Sequence, residues 1–397
     1  MTDAQLLTPL LGDQSPLDAR SRALITDLFD RELQLMAALP TDDPLDPKRR
    51  RRVDFTITEI MEQPDCIRTT LGRERENIAA AAKNIAGAGI RRIFMTGCGD
   101  SLAVMIAVRS LFEEMLGIPC EPVQALDMAY YYHRTLGPDT LMITLSSSGI
   151  TTRTVEALMI AKAKGAHTLA LSNTPGSALM VESDHRLTVH AQRKGWPTQA
   201  STAAIALLCQ LALDIAKAKN PNDERVVALQ LALDAIPAQI AEVIAHHEAT
   251  IADIAEREAA RSFYLYAGGG PSLAAAMFGS AKVKECSPDH GISIPLEEFH
   301  HYNSQKAGDP LFLIAPDGPS VPRARDTAQE GRRWGGQIYS LVTGDDARLD
   351  DCSDVVLRLP AVPEVLSALV YTIPVQLFAY HVAMAKFRAA EKNVRTA

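Results

Sequence analysis

The 397-residue sequence predicts an α/β fold: two doubly wound parallel sheets in tandem behind a short helical N-terminal appendage. Three observations carry this. From Thr56 onward, apolar runs of strand length alternate with stretches whose apolar residues recur at helical spacing. The alternation happens twice, over about residues 55–240 and 241–397, as after a divergent duplication, which leaves residues 1–54 as the appendage. Each unit also opens alike, with a strand running into a glycine turn and then a helix: GCGDS at Gly97–Ser101 and GGGPS at Gly268–Ser272.

In chain order, the appendage reads as a helix over Ser21–Leu39, then TDDPLDPKRRRR, whose prolines and mixed charges read as an exposed linker. Its basic run, Lys48–Arg52, is expected in solvent, or else against a phosphate or a partner's acidic face. Strands are expected at Arg92–Thr96, Leu141–Leu145, Thr168–Ser172 and His185–Val189 in the first unit. In the second they are expected at Ser262–Ala267, Pro310–Ala315, Gln337–Val342 and Val355–Leu359. Helices between successive strands require crossovers, hence parallel sheets.

Composition excludes several functions. A hydrophobic share of 47% can fill substantial cores, and a formal net charge of −8 argues against nucleic-acid binding as the main role. The six cysteines form no C-x-x-C pair, so neither a zinc site nor a disulfide framework is expected, and a reducing, cytoplasmic setting is. The N-terminus MTDAQLLTPLLGDQSPLDAR lacks a basic stretch before an apolar core, and no segment runs 18 residues without polar interruption. Secretion and membrane spanning are therefore not expected.

The chemistry concentrates in LMITLSSSGITTRTVEALMIAKAKG, Leu141–Gly165, a buried strand, a hydroxyl-rich turn and a helix. Such a turn aims free backbone N–H groups and the positive helix end at one spot, where Ser146, Ser147, Ser148, Thr151 and Thr152 add hydroxyl donors. One hydroxyl suffices to cap a helix; five within seven residues suit an anion. No Gly-Lys-Ser/Thr follows, so this is not a nucleotide P-loop, and a small phosphorylated metabolite fits better. Gly99 in the neighbouring glycine turn permits close approach of backbone to ligand, and in an open α/β sheet such adjacent strand ends form the ligand crevice. The second unit offers only Ala315, Pro316, Asp317 and Gly318 at the corresponding place, so one anion site per chain is expected. Arg153 reads either as added positive charge or as an exposed helix arginine.

TEIMEQP (58–64), GIPC (117–120), LMITLSSSGITTRTVEAL (141–158), SNTPGSALMVESD (172–184) and YTIPVQLFAYHVA (371–383) resemble the isomerase half of glutamine–fructose-6-phosphate amidotransferase, in order, across residues 55–386. The resemblance implies tandem sugar-isomerase (SIS), flavodoxin-like domains, whose relatives include aldose–ketose isomerases, amino-sugar-phosphate deaminases and fructosamine-phosphate deglycases. It implies that Ser101, Ser146, Ser147, Ser148 and Thr151 hold the anion of a sugar, and that Ser201 and Thr202 approach the sugar, with Ala203 where the family has lysine. It makes Glu285 the base that moves a proton between C1 and C2, its pKa raised by partial burial, and makes His301, sixteen residues later, the ring-opening group. Lys282 or Lys284 would stabilise developing negative charge.

Without the resemblance, Lys282, Lys284 and Glu285 read as an exposed charged helix face and His300–His301 as a loop pair, and Glu297, Glu298 and His300 remain competing acid–base groups. Three departures bear on function. The chain begins Met1-Thr2-Asp3 with a short appendage, so no glutaminase activity is expected; it ends at Ala397, about one residue before the family's Schiff-base lysine, with Lys392 at the wrong spacing; and HHYNSQKAGDP (300–310) is longer than the family's turn. The expectation is aldose–ketose isomerisation of a hexose with a C6 phosphate or sulfonate, without cofactor or metal. Deaminase or deglycase is the alternative, and a non-catalytic sugar-phosphate sensor the second. The partner is a small anionic sugar, with no nucleic acid or membrane. A homodimer or larger homo-oligomer is expected, in which the histidine loop reaches a neighbour's anion site and the apolar run 365–387 lies at a two-fold interface.

Overall fold

A computed structural model describes residues 15–43, 45–302 and 305–396. The reading of residues 1–14, and Pro44, Asn303, Ser304 and Ala397, lie outside the described residues. The appendage holds α1 (Ala19–Ala37), whose first turn is capped by Asp18 accepting from Ser21 N–H at 2.8 Å. Next come α2 (Pro47–Met61) and α3 (Gln63–Gly87). The first unit continues β1 (Arg92–Gly97), α4 (Asp100–Leu116), β2 (Cys120–Gln124), α5 (Ala125–Tyr130), β3 (Thr140–Leu145), α6 (Thr152–Ala163), β4 (His167–Ser172), α7 (Ala178–Glu182), β5 (His185–Thr188) and α8 (Gln199–Lys219). After α9 (Glu224–Glu258) come β6 (Phe263–Gly268), α10 (Ser272–Cys286), β7 (His290–Pro295), α11 (Leu296–Tyr302), β8 (Pro310–Ala315), α12 (Val321–Arg333), β9 (Gln337–Thr343), β10 (Val355–Leu359) and α13 (Ser367–Thr396). The boundaries at 54/55 and 240/241 fall within α2 and α9.

Each unit is a five-stranded parallel sheet, ordered β2-β1-β3-β4-β5 and β10-β9-β8-β6-β7. Counted within its own unit, each follows one doubly wound pattern, with its first strand between its second and third. Register places Thr96 of β1 beside Val123 of β2 and Thr144 of β3, so the turn after β1 and the serine loop after β3 leave the sheet side by side. Eight strands coincide with the strands expected from the sequence. The two that sequence reading missed, β2 (CEPVQ) and β7 (HGISIP), are edge strands with exposed positions along their length. A half-exposed edge needs no apolar run, and it tolerates a proline such as Pro122.

One apolar cluster runs through both units, including Val104 and Leu111 of α4, Leu207 of α8, Phe278 of α10 and Phe378 of α13. The packing of α4 against α10 brings the two units' first helices together, which places the site. The apolar run 365–387 is spent inside the chain: Tyr371 and Phe378 of α13 are fully buried, and the helix packs on α9 and α10. Its apolarity thus serves the chain's own core. Three helical segments, Gln199–Lys219, Glu224–Glu258 and Glu364–Val394, are long and apolar enough to cross a membrane by length and composition; their most apolar windows are 89%, 39% and 83% buried within the fold.

The expected linker is a second correction. Asp46 accepts from Lys48 N–H at 2.7 Å and Pro47 follows it, a start signal that winds the basic run into the first turns of α2. Helical spacing then turns Arg49 inward, 4% exposed, where it donates to the Glu285 carbonyl and the Thr41 carbonyl, each at 2.8 Å. Arg52 lies over the Trp196 ring at 3.5 Å. Lys48 and Arg51 are exposed as expected.

Candidate functional site

A cleft of about 680 Å³ opens where the β1–α4 turn, the serine loop, the start of α8 and the end of α10 converge. Gly99 and Ser101 line it from the first, Ser147, Ser148 and Thr151 from the second, Ser201 from the third and Glu285 from the fourth. A cleft of this size takes a small metabolite.

The loop is built by its own hydroxyls. Ser146 is buried; its Oγ lies 2.8 Å from Thr151 Oγ1 and 3.4 Å from Ser148 Oγ, and accepts from Gly149 N–H at 3.1 Å. It therefore shapes the cradle from behind, while its neighbours face the cavity. Gly149 has φ +67°, and a Cβ there would stand 1.9 Å from Ser177 Oγ, so only glycine closes the loop. Ser147 Oγ donates to Asn173 Oδ1 at 2.8 Å, and Asn173 lines the cleft beside it. Thr151 sits at the N-cap of α6 without making a side-chain capping bond. Across the cleft, a Cβ on Gly97 would lie 2.6 Å from Ser101 Cβ, so glycine lets α4 start hard against β1. Thr152 is buried, and Arg153 turns away, donating to Tyr130 Oη at 2.6 Å and pairing with Glu156.

The other end of the cleft is acidic and partly buried. Lys282, fully buried, stands between Asp100 Oδ2 at 2.7 Å and the carboxylate of Glu285 one turn along α10. Burial works against the Lys282 ammonium, but the charges of Asp100 and Glu285 outweigh it and hold its pKa above the ordinary lysine range. Burial also pushes the Glu285 carboxyl up, to about 7; Lys282 opposes that shift and the charge of Asp100 adds to it. The Glu285 side chain keeps 28% exposure, toward the cleft. Ser201 Oγ reaches Asp100 at 3.5 Å, whereas Thr202 is buried and bonded to Gln63 Oε1 at 2.8 Å, outside the cleft.

The remaining candidates lie elsewhere. Lys284 is exposed and does not line the cleft; the lysine beside Glu285 is Lys282, since positions 282 and 285 share the inner face of α10. His301, on α11, is 62% exposed and 3.5 Å from Glu297, outside this chain's own cleft. His300 Nε2 contacts Thr327 Oγ1 at 3.0 Å, Glu297 pairs with Arg323 at 2.7 Å, and neither lines the cleft. Glu298, and Lys392 near the end of α13, are exposed. Among the described residues no group of three or more His, Cys, Asp or Glu side chains is arranged to hold a metal. Sequence reasoning missed Asp100, Arg49, Asn173, Arg193 and Glu32, all at or beside the cleft. Of these only Asp100, in the glycine turn, carried a local signal.

The SIS domain matches residues 88–214 and 258–386. The isomerizing glutamine–fructose-6-phosphate aminotransferase of Yersinia pseudotuberculosis is 31% identical over 339 residues, covering 83% of this chain and 55% of that protein. The enzyme of the same name from Thermococcus kodakarensis is 29% identical over 343 residues, covering 85% and 56%. The chain thus spans about half the length of the curated relatives it matches. Among solved structures, the C-terminal domain of glucosamine-fructose-6-phosphate aminotransferase from Francisella tularensis superposes with a TM-score of 0.75 at 24% identity, covering 84% of this chain and 96% of that one. Tagatose-6-phosphate ketose/aldose isomerase from Escherichia coli superposes with a TM-score of 0.63 at 17% identity, covering 83% and 92%. The repeated sheet order, the serine loop and these matches lead to one conclusion: the chain belongs to the SIS family and carries two SIS domains in tandem, homologous to part of the isomerizing glutamine–fructose-6-phosphate aminotransferase.

Proposed function

We propose that the chain is a sugar-phosphate-type aldose–ketose isomerase acting on a hexose with a C6 anion. The observation that carries this is the shared cleft: a cradle of neutral donors at one end, and at the other a carboxylate whose pKa is raised to about 7. Ser148, Thr151 and Ser101 hold the anion by hydroxyl donation and Ser147, whose hydroxyl is engaged by Asn173, by its N–H, which fixes the sugar's distance from the base. Glu285 takes the proton from C2 of the open-chain aldose and returns it to C1 through an enediol(ate), a task that needs a carboxylate poised near working pH. Lys282, being buried, acts through Glu285 by orienting its carboxylate; it does not touch the sugar.

His301 opens the ring from a second copy of the chain. Its exposure and its distance from its own cleft support a site completed in a homodimer. The relatives' names, which include a ketose/aldose isomerase and an isomerizing aminotransferase, support the reaction class. The six cysteines stand as free thiols, which supports a reducing, cytoplasmic setting.

A second reading has its own support. The cleft is lined by three carboxylates, Glu32, Asp100 and Glu285, against Arg193, and with the buried Lys282 counted the balance is still negative by one charge, which suits an ammonium group on the sugar. The same base would then expel an amine, as in a deaminase or deglycase. The test is incubation with fructose 6-phosphate, glucosamine 6-phosphate and a fructosamine 6-phosphate. An aldose from the first supports the isomerase, ammonia or a free amine supports the second reading, and tight binding with no turnover of any supports a sensor.

A further inference from the structure

The carboxylate of Glu32 stands at the anion end of the cleft although it comes from outside both sheets. Its helix, α1, is seated firmly: Ile25 and Leu28 are buried in one apolar cluster with Val155, Leu158 and Met159 of α6, and Arg20 pairs with Glu182 at 2.6 Å. One turn beyond Leu28, Glu32 Oε2 accepts from the Thr152 backbone N–H at 3.3 Å. That N–H opens α6, at the positive helix end beside the serine loop, where a substrate anion gains most.

Arg153, adjacent in sequence, is withdrawn onto Tyr130 and Glu156. The buried Lys282 is taken up between Asp100 and Glu285. Of the described residues lining the cleft, Glu32, Asp100 and Glu285 are acidic and Arg193 alone is basic. The cradle thus offers neutral donors with a fixed negative charge beside them. Each unit of charge on a tetrahedral anion is drawn to the donors and repelled by Glu32, and because Glu32 already accepts the Thr152 N–H at the helix end, the second charge of a dianion meets that repulsion with this donor spent.

We propose that Glu32 makes this subsite selective for a singly charged tetrahedral group, a C6 sulfonate, over a C6 phosphate dianion. The inference rests on reading the cleft as a sugar-anion site and adds which anion it takes. A sulfonate carries one negative charge throughout the working range, whereas a phosphate monoester, with its second pKa near 6, is mostly dianionic at pH 8.

The test is equilibrium binding, by calorimetry, of 6-deoxy-6-sulfoglucose and glucose 6-phosphate to the full chain and to its Glu32→Gln variant, at pH 6 and pH 8. Glu285, whose carboxyl is pushed up to about 7, gains charge over the same range, and Asp100 on α4, Cys98 before it, Arg193 and the buried Lys282 stand at the same cleft, so the readout is how far Glu32→Gln moves the ratio of the two affinities at a single pH. The wild type should favour the sulfonate by about tenfold at pH 8 and by less at pH 6, and Glu32→Gln should bring the pH 8 ratio to within about threefold of unity. Wild type binding glucose 6-phosphate at pH 8 as tightly as the sulfonate overturns the proposal, as does a ratio that Glu32→Gln leaves unchanged, or binding of neither sugar. Binding with the expected ratio but no turnover overturns the isomerase reading alone.

Discussion

Lys282 Nζ of α10 donates to Asp100 Oδ2 of α4 at 2.7 Å, so a buried charge of the second unit is neutralised by the first unit's glycine turn. Removing one partner of a buried ion pair leaves part of a charge uncompensated. Asp100→Asn is expected to destabilise the chain by about 2 kcal/mol or more, read as a lower denaturant midpoint at unchanged slope. An unchanged midpoint would show that Lys282 is satisfied by Glu285 alone.

The raised pKa of Glu285 fixes the direction of the pH profile. A base works deprotonated, so with its carboxyl pushed up to about 7, kcat/KM should climb as pH rises through about 7 and fall away toward pH 5. Removing the negative charge of Asp100, one of the groups that raises Glu285, should move this limb to lower pH. An acidic limb that stays in place in Asp100→Asn separates the two carboxylates.

Within the serine loop, position predicts two kinds of defect. Ser148 and Thr151 face the cleft, so alanine at either should raise KM about tenfold, the loss of one charge-assisted hydrogen bond, while the melting temperature holds in Ser148→Ala. Ser146 is buried and bonded to Thr151 and Gly149, so Ser146→Ala should lower the melting temperature as well. Equal thermal behaviour of all three variants would contradict the division.

If His301 serves a second copy's cleft, inactive chains can complement one another. Co-expressed Glu285→Gln and His301→Asn chains should recover about a quarter of wild-type sites, since each mixed dimer assembles one intact site. No recovery from chains shown to mix would place the ring-opening group within the same chain.

What the sequence revealed and what it hid divide by range. The strands β1, β3, β6 and β8 announce themselves as apolar runs because they are buried on both faces, while β2 and β7 hide because an edge is half exposed. The cradle was legible because strand, hydroxyl turn and helix are contiguous. Glu285 was legible only through resemblance, for a Lys-x-x-Glu on a helix reads as a solvated face until Asp100, 182 residues from Lys282, is known to meet it. Glu32 reaches the cleft, and Arg49 the Glu285 carbonyl beside it, from the appendage by tertiary packing, which local pattern does not encode.

The central claim, that Glu285 is the base, is tested most directly by Glu285→Gln assayed in deuterated water. Glutamine keeps the shape and removes the basicity, so kcat should fall by at least about 10²-fold with KM close to wild type, and the wild-type product should carry solvent deuterium at the carbon that receives the proton. Near-normal turnover by Glu285→Gln, with deuterium still incorporated, would contradict the account and move the base to another residue.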